Sequence, residues 1–489
     1  METGSRVLDP AVSLQETSSR ALSQFKKPLE IGLALAIGLG VWNLPPPSSL
    51  DEKGMHFLAT LAVGVTLWVL EAFDEYVVGL MLLLSWVTLG IANSKLALTG
   101  FSQSSWVFVV SALGIGAAVK RSGLLARLAG QLLGRIPIAS HKTHTFALFA
   151  MGVLLTPLLP TGKARAVIAS PLSQAVSKAK GFSDRSNGSV ALALSALTGF
   201  SHMSFTFLTG AEFCLIGWNL LPPESKSAFG WTTWFLAALP AGLLISFIVF
   251  ISIHILYPSR MEDRSETYND AITLPLDLKG SFGMAEWIGL AVLTLTLIGW
   301  MTMPLHGIDE AWVALAGLLV FLMSGCLDKK SFKNDLDWGL ILFFGIVNSM
   351  AAVSSHLHVE RWITALVAPI LIGHSVNSLS FLLMVTFIVC FARLFLRKAA
   401  AVVLLTVTFI PIGQSVGVHP GVLLLTILMA SECFFLPYQD GPYQIAYSST
   451  EGKAFSHRQA RRVLTAKLIA TLLAVAVSVP YWRMLGFIE

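Results

Sequence analysis

The feature that most restricts the fold of this chain is a pair of cations, Lys163 and Arg165, inside a long apolar region. A charged side chain at membrane depth is costly and is retained mainly where it serves a function. Pro160 and Gly162 interrupt any helix at this point. The stretch therefore predicts two half-helices that meet at a turn, which is a re-entrant hairpin over residues 143–178.

A turn at membrane depth has to be buried in protein or to line a wet cavity, because its backbone polar groups find no partners in lipid. The second half-helix would begin near Thr161 and aim free N–H groups and the positive end of its dipole at that cavity. Lys163 and Arg165 add to the same positive field. Thr161 and Gly162 are predicted to offer a hydroxyl and a backbone N–H to a substrate. The tip of this hairpin is therefore predicted to be an anion site.

A second copy of this pattern lies in the other half of the chain. Lys398-Ala-Ala-Ala-Val matches Lys163-Ala-Arg-Ala-Val at an offset of 235 residues, 398 minus 163, with Arg393 and Arg397 just upstream. Apolar sequence again lies on both sides, which predicts a second re-entrant hairpin over residues 375–416. Two similar halves with broken segments in corresponding positions are the best sequence pointer to a transporter's binding site. Other landmarks recur at nearly the same offset: Trp106 with Trp338, and Gly210 with Gly441.

Composition indicates the class of protein. Hydrophobic residues make up 55% of the 489 residues and charged residues 12%, whereas soluble domains carry about 25% charged residues. The chain is therefore predicted to be an all-α polytopic membrane protein. Its four cysteines lie in apolar segments, and no Cys/His spacing resembles a zinc site. We therefore expect no metal, no cofactor and no nucleic-acid partner.

The apolar segments and the loops between them predict about eleven membrane spans plus two hairpins, arranged as an inverted repeat. The first thirty residues are polar, and we expect no cleavable signal peptide because they lack an apolar core. The predicted layout is a cytoplasmic tail at 1–30, a first span and first repeat at 31–257 with hairpin 143–178 and broken span 188–221, a cytoplasmic linker at 258–283, and a second repeat at 284–489 with hairpin 375–416 and broken span 420–449.

The distribution of Lys and Arg predicts the orientation of the chain. With the N-terminus in the cytoplasm, most of the 33 Lys and Arg residues fall in cytoplasmic segments, as the positive-inside rule requires. Lys467 is assigned to the cytoplasmic side in this count. The protein is therefore expected to be integral to the cell (inner) membrane, with its C-terminus external. The cations left at membrane depth all belong to the two hairpins: Lys163, Arg165, Arg393, Arg397 and Lys398.

Several motifs, in order along nearly the whole chain, resemble a known transporter family. Its second-span signature is similar to LWVLEAF at residues 67–73, and its fourth span to TGFS at 99–102 followed by Trp106. Its interfacial helix is similar to KRSGLLARLA at 120–129, and the second-half counterpart to WGLILFFG at 338–345. The family is the divalent anion/sodium symporters, which carry dicarboxylates, citrate and sulfate. The order and spacing of the motifs make the resemblance specific.

This resemblance implies a homodimer in which a scaffold domain mediates dimerisation and a transport domain moves like an elevator. It also implies a substrate site between the hairpin tips and the two broken spans. Family members carry Ser-Asn-Thr at each tip, where it holds a substrate carboxylate and sodium. That motif falls here on residues 161–163 and near residues 397–399, and neither copy is Ser-Asn-Thr. The family's Thr-Pro-Pro-Asn-like turn falls on 209–212 and 440–443, which also differ.

The departures from the family pattern bear on the coupling ion. Sodium prefers a shell of oxygens, whereas lysine offers only donors. An ammonium from Lys163 or Lys398 can occupy the place of sodium and repel any entering cation, by about 4 kcal/mol at 4 Å and an effective dielectric of 20. We therefore expect anion exchange or proton-linked transport without sodium. A sodium-coupled dicarboxylate or sulfate symporter is the alternative.

The other candidate residues have more than one interpretation. Lys163 and Lys398 either contact the substrate or pair with Glu212, Glu432 or Asp440, and both roles fit one transport cycle in which substrate breaks the pair. Glu212 and Asp440 either neutralise the lysines, coordinate a cation or carry a proton. Further predicted substrate contacts are Arg165, Arg397, Thr209, Gly210, Gln439, Gly441 and Tyr443, with Arg393 as a charge-balancing group and with Glu71 and His202 as structural residues.

The function predicted from these features is secondary active transport of organic polyanions, with a small organic anion, the bilayer and a second copy of the chain as partners. An enzyme is disfavoured because the sequence shows neither a nucleophile with its base nor a His-Glu-x-x-His motif. A channel is disfavoured by the repeats, and a cation/proton antiporter by the cations at both tips. The hairpin cations outnumber Glu212, Glu432 and Asp440, which predicts di- or tricarboxylate-like substrates with at least two negative charges.

Overall fold

The structure is a computed structural model that describes residues 27–47, 50–124, 127–128, 130–131, 141–259, 282–359, 362 and 377–489. The predicted cytoplasmic tail and linker lie mostly outside these residues. Within them all regular secondary structure is helical, as the composition predicts. The main helices are 27–42, Glu52–Val69, Glu75–Thr88, Ser104–Ser122, His141–Leu155, Gly162–Ala179, Asn187–Ser201, Glu212–Asn219, Trp231–Leu256, Met284–Met301, Glu310–Met323, Trp338–His356, Ser378–Ala392, Lys398–Ser415, Pro420–Ser431, Gly441–Ser449 and His457–Met484.

Local sequence explains where several of these helices begin and end. Asp51, Asn377 and Ser456 each accept a hydrogen bond from the backbone N–H three residues further on, which caps the helix that follows. Gly123 has a φ of 77° and ends the helix Ser104–Ser122, because glycine adopts this left-handed conformation without the strain that a side chain adds. The helix bounds are therefore encoded locally, by short polar residues and glycine.

Apolar helices of membrane-spanning length are present among the described residues. Large apolar side chains such as Phe247, Ile255 and Leu295 are exposed on them, and exposed apolar surface of this extent is typical of a membrane-facing region. The predicted count of eleven spans, the inverted repeat and the positions of the two termini stay predictions. Five helices are long and apolar enough to cross a membrane: Trp231–Leu256, Met284–Met301, Trp338–His356, Lys398–Ser415 and His457–Met484.

Two pairs of consecutive helices correspond to the predicted hairpins. In each pair the helix breaks where the sequence predicts a turn, and the second arm begins at or beside the predicted tip lysine. Whether both arms of a pair enter the membrane from one side stays a prediction, and residues 375–376 lie outside the described chain. Hairpin 1 joins His141–Leu155 to Gly162–Ala179 through residues 156–161, and hairpin 2 joins Ser378–Ala392 to Lys398–Ser415 through residues 393–397.

The two predicted broken spans are also interrupted helices. Broken span 1 consists of Asn187–Ser201 and Glu212–Asn219. Broken span 2 consists of Pro420–Ser431 and Gly441–Ser449. The first helix of broken span 2 is buried along its whole length, and that of broken span 1 nearly so. The core of the molecule therefore runs through the two broken spans.

The hairpins and broken spans of the two halves pack together closely. An added Cβ atom at Gly152 would lie 2.3 Å from the Phe200 backbone nitrogen, and one at Gly199 would lie 2.2 Å from the Phe149 carbonyl oxygen. Hairpin 1 and broken span 1 therefore meet backbone to backbone. The second helix of broken span 2 packs on the second arm of hairpin 1, and the second helix of broken span 1 packs on the second arm of hairpin 2. This exchange brings both tips and both breaks together.

Candidate functional site

A cavity of about 930 Å³ lies where the hairpin tips meet the broken spans. The turn between Glu52–Val69 and Glu75–Thr88 and the start of Trp338–His356 complete its wall. The cavity combines predicted site residues from both halves of the sequence, separated by more than two hundred positions. Those that line it are Gly162, Lys163, Glu212, Arg397, Lys398, Gln439, Asp440 and Gly441.

Lys163, at the tip of hairpin 1, is an exposed cation of this cavity. It lies in the first turn of Gly162–Ala179, and the side chain of the N-cap residue Thr161 makes no capping hydrogen bond. Its stem packs on Gly441, where an added Cβ atom would lie 2.9 Å from the Lys163 Cε atom. Lys163 forms no salt bridge with any residue that the structure describes. Its charge and the positive end of the helix dipole therefore act together on the cavity.

Lys398, at the tip of hairpin 2, is held by two carboxylates. Its Nζ atom lies 3.2 Å from Glu432 Oε2 and 3.5 Å from Asp440 Oδ2. It also lies 4.4 Å from the centre of the Phe213 ring, a cation–π contact. Glu432 is fully buried. Of the two predicted roles of Lys398, the structure shows the pairing with Glu432 and Asp440, while its ammonium still reaches the cavity wall.

Lys398, Glu432 and Asp440 form a charged cluster, and Lys467 is a further member of it that the sequence did not reveal. Its side chain is 2% exposed, and its Nζ atom donates a hydrogen bond to the Glu432 carbonyl oxygen at 2.9 Å. The same nitrogen lies 3.8 Å from Glu432 Oε2. The count of Lys and Arg assigned Lys467 to the cytoplasmic side, whereas the structure places its ammonium beside Glu432, the partner of Lys398. The contact depends on tertiary packing, so no local sequence pattern marked it.

Glu212 and Asp440 stand at the breaks of the two broken spans. The Glu212 carboxylate lines the cavity, and its Oε2 atom is buried without a hydrogen-bond donor among the described residues. Asp440 caps the helix Gly441–Ser449, since its Oδ1 atom accepts a hydrogen bond from Tyr443 N at 2.9 Å. His202 Nε2 lies 3.3 Å from the same oxygen. His202 is buried, as predicted, but its partner is a carboxylate of the site.

Arg165 connects the tip of hairpin 1 to broken span 1 through hydrogen bonds. Its guanidinium is fully buried and does not line the cavity. It donates hydrogen bonds to the carbonyl oxygens of Phe200 and Leu159.

 The Leu159 carbonyl belongs to the turn of the hairpin and the Phe200 carbonyl to the last turn of Asn187–Ser201. The Arg165 guanidinium also donates to Ser204 Oγ at 2.8 Å. These contacts position the turn, and the predicted contact between Arg165 and substrate has no support in this geometry.

Arg393 connects the tip of hairpin 2 to broken span 2 in a similar way. Its Nε atom donates to the Ser431 carbonyl oxygen at 3.3 Å, and its two terminal nitrogens donate to the carbonyl oxygens of Leu396 at 2.8 Å and Gln439 at 2.5 Å. The Gln439 side chain in turn donates to the Arg393 carbonyl oxygen and accepts from the backbone N–H groups of Phe435 and Leu436, each at 2.7 Å. Arg393 and Gln439 therefore hold the turn together, which leaves the Gln439 amide engaged within the protein.

Arg397 connects the tip of hairpin 2 to the opposite wall of the cavity. Its Nε atom lies 3.0 Å from Glu71 Oε1, and one terminal nitrogen lies 3.4 Å from Glu75 Oε1. The Arg397 and Glu71 side chains are each half exposed. Glu71, predicted to be structural, thus lines the cavity and pairs with a hairpin cation.

Three other predicted contacts have local structural partners. Thr209 Oγ1 donates to the Pro157 carbonyl oxygen at 3.0 Å. Gly210 has no room for a side chain, because an added Cβ atom would lie 2.0 Å from the Ser204 carbonyl oxygen. The Tyr443 hydroxyl lies 2.6 Å from His457 Nδ1. None of these predicted residues lines the cavity, so they shape the breaks that carry the site.

The balance of charge on the cavity wall differs from the prediction. The wall carries three cations, Lys163, Arg397 and Lys398, and six carboxylates. The expected surplus of positive charge is therefore wrong, because the sequence did not show that acidic residues from outside the hairpins face the cavity. Positive charge is confined to the tips. The six carboxylates belong to Glu71, Asp74, Glu75, Glu212, Asp337 and Asp440.

Comparison with known proteins agrees with this architecture. The sequence matches the family described as the sodium:sulfate symporter transmembrane region over residues 26–488. The chain therefore belongs to that family, and it is a membrane transporter rather than an enzyme. The resemblance drawn from the motifs is confirmed.

Individual relatives have low sequence identity to this chain but match it over most of its length. A membrane protein of Cupriavidus necator is 24% identical over 482 residues, which cover 93% of this chain and 92% of the relative. A putative malate transporter of Bacillus subtilis is 25% identical over 338 residues, which cover 68% of this chain and 70% of the relative. The crystal structure of the YdaH transporter of Alcanivorax borkumensis has a TM-score of 0.57 at 17% identity, with 96% of this chain and 98% of that chain covered. This last likeness is one of fold alone.

Proposed function

We propose that the protein is a secondary active transporter of di- or tricarboxylate-like anions that works without sodium, by anion exchange or with protons. The observation that carries this proposal is the position of the Lys398 ammonium, 3.2 Å from Glu432 and 3.5 Å from Asp440. A cation fixed to the protein lies where two carboxylates would otherwise attract a mobile one.

The substrate is proposed to bind between the two tips. Lys163 offers an ammonium that has no salt bridge to a described residue, beside the start of Gly162–Ala179, and anions are favoured at such a helix end. Lys398 offers a second cation across the same cavity. Two separated positive groups fit a molecule with two carboxylates, and the putative malate transporter among the relatives is consistent with that class. The carboxylates on the rest of the cavity wall repel anions that do not reach both tips.

The contacts of Lys398 support sodium independence. An entering sodium ion near Glu432 and Asp440 would meet an ammonium already in place, and two unit charges 4 Å apart repel by about 4 kcal/mol at an effective dielectric of 20. That energy corresponds to a loss of occupancy of about a thousandfold. Oxygen ligands such as Glu212 offset part of it, so the figure is an upper one.

The movement proposed for this transporter is that of an elevator. The hairpins and broken spans, which pack on one another, form the moving part, and the helices around Glu71 and Glu75 belong to the fixed part. Arg397 joins the two parts through exposed ion pairs, which are weak enough to break in each cycle. A homodimer in the cell membrane, with the N-terminus in the cytoplasm and the C-terminus outside, completes the proposal.

Binding scans test this proposal. The purified protein is titrated with malate, citrate, succinate, acetate and sulfate in sodium chloride and in choline chloride, and stabilisation is followed by thermal melting. We expect di- or tricarboxylates to raise the melting temperature equally in both salts and acetate to have no effect, because one carboxylate reaches one tip only. Stabilisation by sulfate alone, or by carboxylates only in sodium, would contradict the proposed substrate or the proposed coupling.

A further inference from the structure

Lys467 is a buried lysine that belongs to neither hairpin. It is in the third turn of His457–Met484, remote from both hairpins in sequence, and its ammonium is almost completely buried against Glu432. Burial of a lysine is costly unless a partner compensates its charge. The contacts with the Glu432 carbonyl and carboxylate supply that compensation.

Glu432 places two oxygen atoms near this ammonium, its carbonyl oxygen and Oε2. Its carbonyl oxygen lies at the C-terminal end of Pro420–Ser431, where the helix dipole adds negative charge. Its Oε2 atom faces Lys398 and Lys467, and its Oε1 atom is buried with no hydrogen-bond donor among the described residues. Thr471 stands one helical turn beyond Lys467, and its buried hydroxyl donates a hydrogen bond to the Lys467 carbonyl oxygen. Carbonyl, carboxylate and hydroxyl oxygens are the ligands that hard monovalent cations prefer.

We propose that Lys467 is a coupling-determining residue: with Lys398 it supplies the cations that Glu432 and Asp440 require, and its ammonium fills a place that a monovalent metal ion would take in its absence. This inference rests on the proposed sodium-independent function and extends it to a residue outside the tips. The carboxylates of Glu432 and Asp440 balance the ammonium groups of Lys398 and Lys467. Arg393 stands near the cluster, but its donors are directed at three carbonyl oxygens.

Removal of the lysine side chain tests the proposal. Lys467→Ala opens space beside the oxygens of Glu432 and leaves its charge short of a partner. We expect the melting temperature of this variant to rise with sodium chloride and not with choline chloride at equal ionic strength, because a bound ion stabilises the folded state by mass action. Dicarboxylate uptake by the variant should become at least about tenfold faster in sodium than in choline, the scale of one charge-assisted contact. The parent should show neither response.

Two further variants make the result specific. Lys453→Ala removes a half-exposed lysine that pairs with Glu451 at the surface, and it should respond to sodium no more than the parent does. Glu432→Gln with Lys467→Ala removes both charges, so its melting temperature should not depend on sodium. If Lys467→Ala alone cannot be purified in a folded form, the double variant should be recovered.

The inference is overturned if folded Lys467→Ala melts and transports alike in sodium and choline. It is also overturned if the double variant responds to sodium as strongly as Lys467→Ala, or if neither variant can be recovered. A sodium requirement of the parent would contradict the proposed function, but the additional sodium response of Lys467→Ala over the parent would still support the inference. The two failures are therefore distinguishable.

Discussion

The two hairpin tips carry the same motif, Lys-Ala-x-Ala-Val, yet their lysines have different surroundings. Lys163 faces the cavity and forms no salt bridge with described residues, whereas Lys398 is held between Glu432 and Asp440. The difference arises from broken span 2, which supplies both carboxylates, and from Lys467 behind them. A repeated motif therefore does not imply repeated surroundings: the charge of hairpin 1 has no salt bridge to a described residue, whereas the charge of hairpin 2 is paired within the protein and still reaches the cavity.

The tips are alike in how they are held in place. Each has one buried arginine that donates to carbonyl oxygens of its own turn and of the neighbouring broken span. Arg165 reaches Phe200, and Arg393 reaches Ser431. The two arginines come from different positions, since Arg165 follows its tip lysine and Arg393 precedes its own. The same tertiary contact is thus built from unlike sequence.

The largest effect is expected from breaking what the tips share. Arg165→Met or Arg393→Met leaves buried carbonyl oxygens without donors, and each should cost about 3 kcal/mol or more of folding free energy, as when a buried polar network loses its charged member. Thermal melting and the yield of monodisperse protein in detergent measure this. Arg483→Met, at an exposed arginine, is the control. Melting of either tip variant within about a degree of the control would show that the arginines do not hold the turns.

Next in size is the loss of the cation at hairpin 2. Lys398→Gln leaves Glu432 and Asp440 short of a partner, and we expect a loss of about 2 kcal/mol. This is less than the roughly 3–5 kcal/mol for a fully buried pair, because Lys398 reaches the cavity. Thermal melting without substrate is the measurement. The companion variant Lys398→Gln with Glu432→Gln should recover much of the loss, and no recovery would argue against the pairing.

A smaller and different effect is expected at hairpin 1. Lys163→Gln should leave the melting temperature of the substrate-free protein unchanged, because Lys163 forms no salt bridge with the residues that the structure describes. It should weaken dicarboxylate binding by more than about tenfold, the scale of one charge-assisted hydrogen bond. Isothermal titration measures the affinity. If Lys163→Gln binds every tested anion as well as the parent, Lys163 does not recognise the substrate, and the proposed contrast between the tips is wrong.

The smallest effect is expected at Arg397. The Arg397 and Glu71 side chains are half exposed and Glu75 is 27% exposed, and solvent-accessible ion pairs contribute about 0–1 kcal/mol. Arg397→Gln should therefore change the melting temperature little, and the change should shrink further as salt rises. A melting scan at low and high potassium chloride checks both statements. A large decrease in melting temperature that persists at high salt would show that Arg397 stabilises the fold as strongly as the buried arginines do.

The sequence predicted the parts of the site that depend on neighbouring residues. Pro160 and Gly162 placed one helix break and Asp440-Gly441 another, and helices begin at Gly162 and at Gly441 in the structure. These positions could be predicted because proline, glycine and capping residues act on their own backbone.

What the sequence did not predict depends on residues that are far apart in the chain. The alignment of the repeats gave Arg165 no counterpart, since Ala400 takes its place, and Arg393 performs the same task from the other side of its tip. Lys467 was counted with the cytoplasmic loops, although its ammonium contacts Glu432. The acidic wall formed by Glu71, Glu75 and Asp337 emerges only when separate helices pack together.

The central claim is that lysines at the site replace sodium, and transport in proteoliposomes tests it most directly. Uptake of a radiolabelled dicarboxylate is measured under inward gradients of sodium, potassium or choline chloride, with and without unlabelled dicarboxylate inside. We predict equal uptake in the three salts, with stimulation by internal dicarboxylate or by an inward proton gradient. Uptake that requires inward sodium and saturates with its concentration would contradict the account.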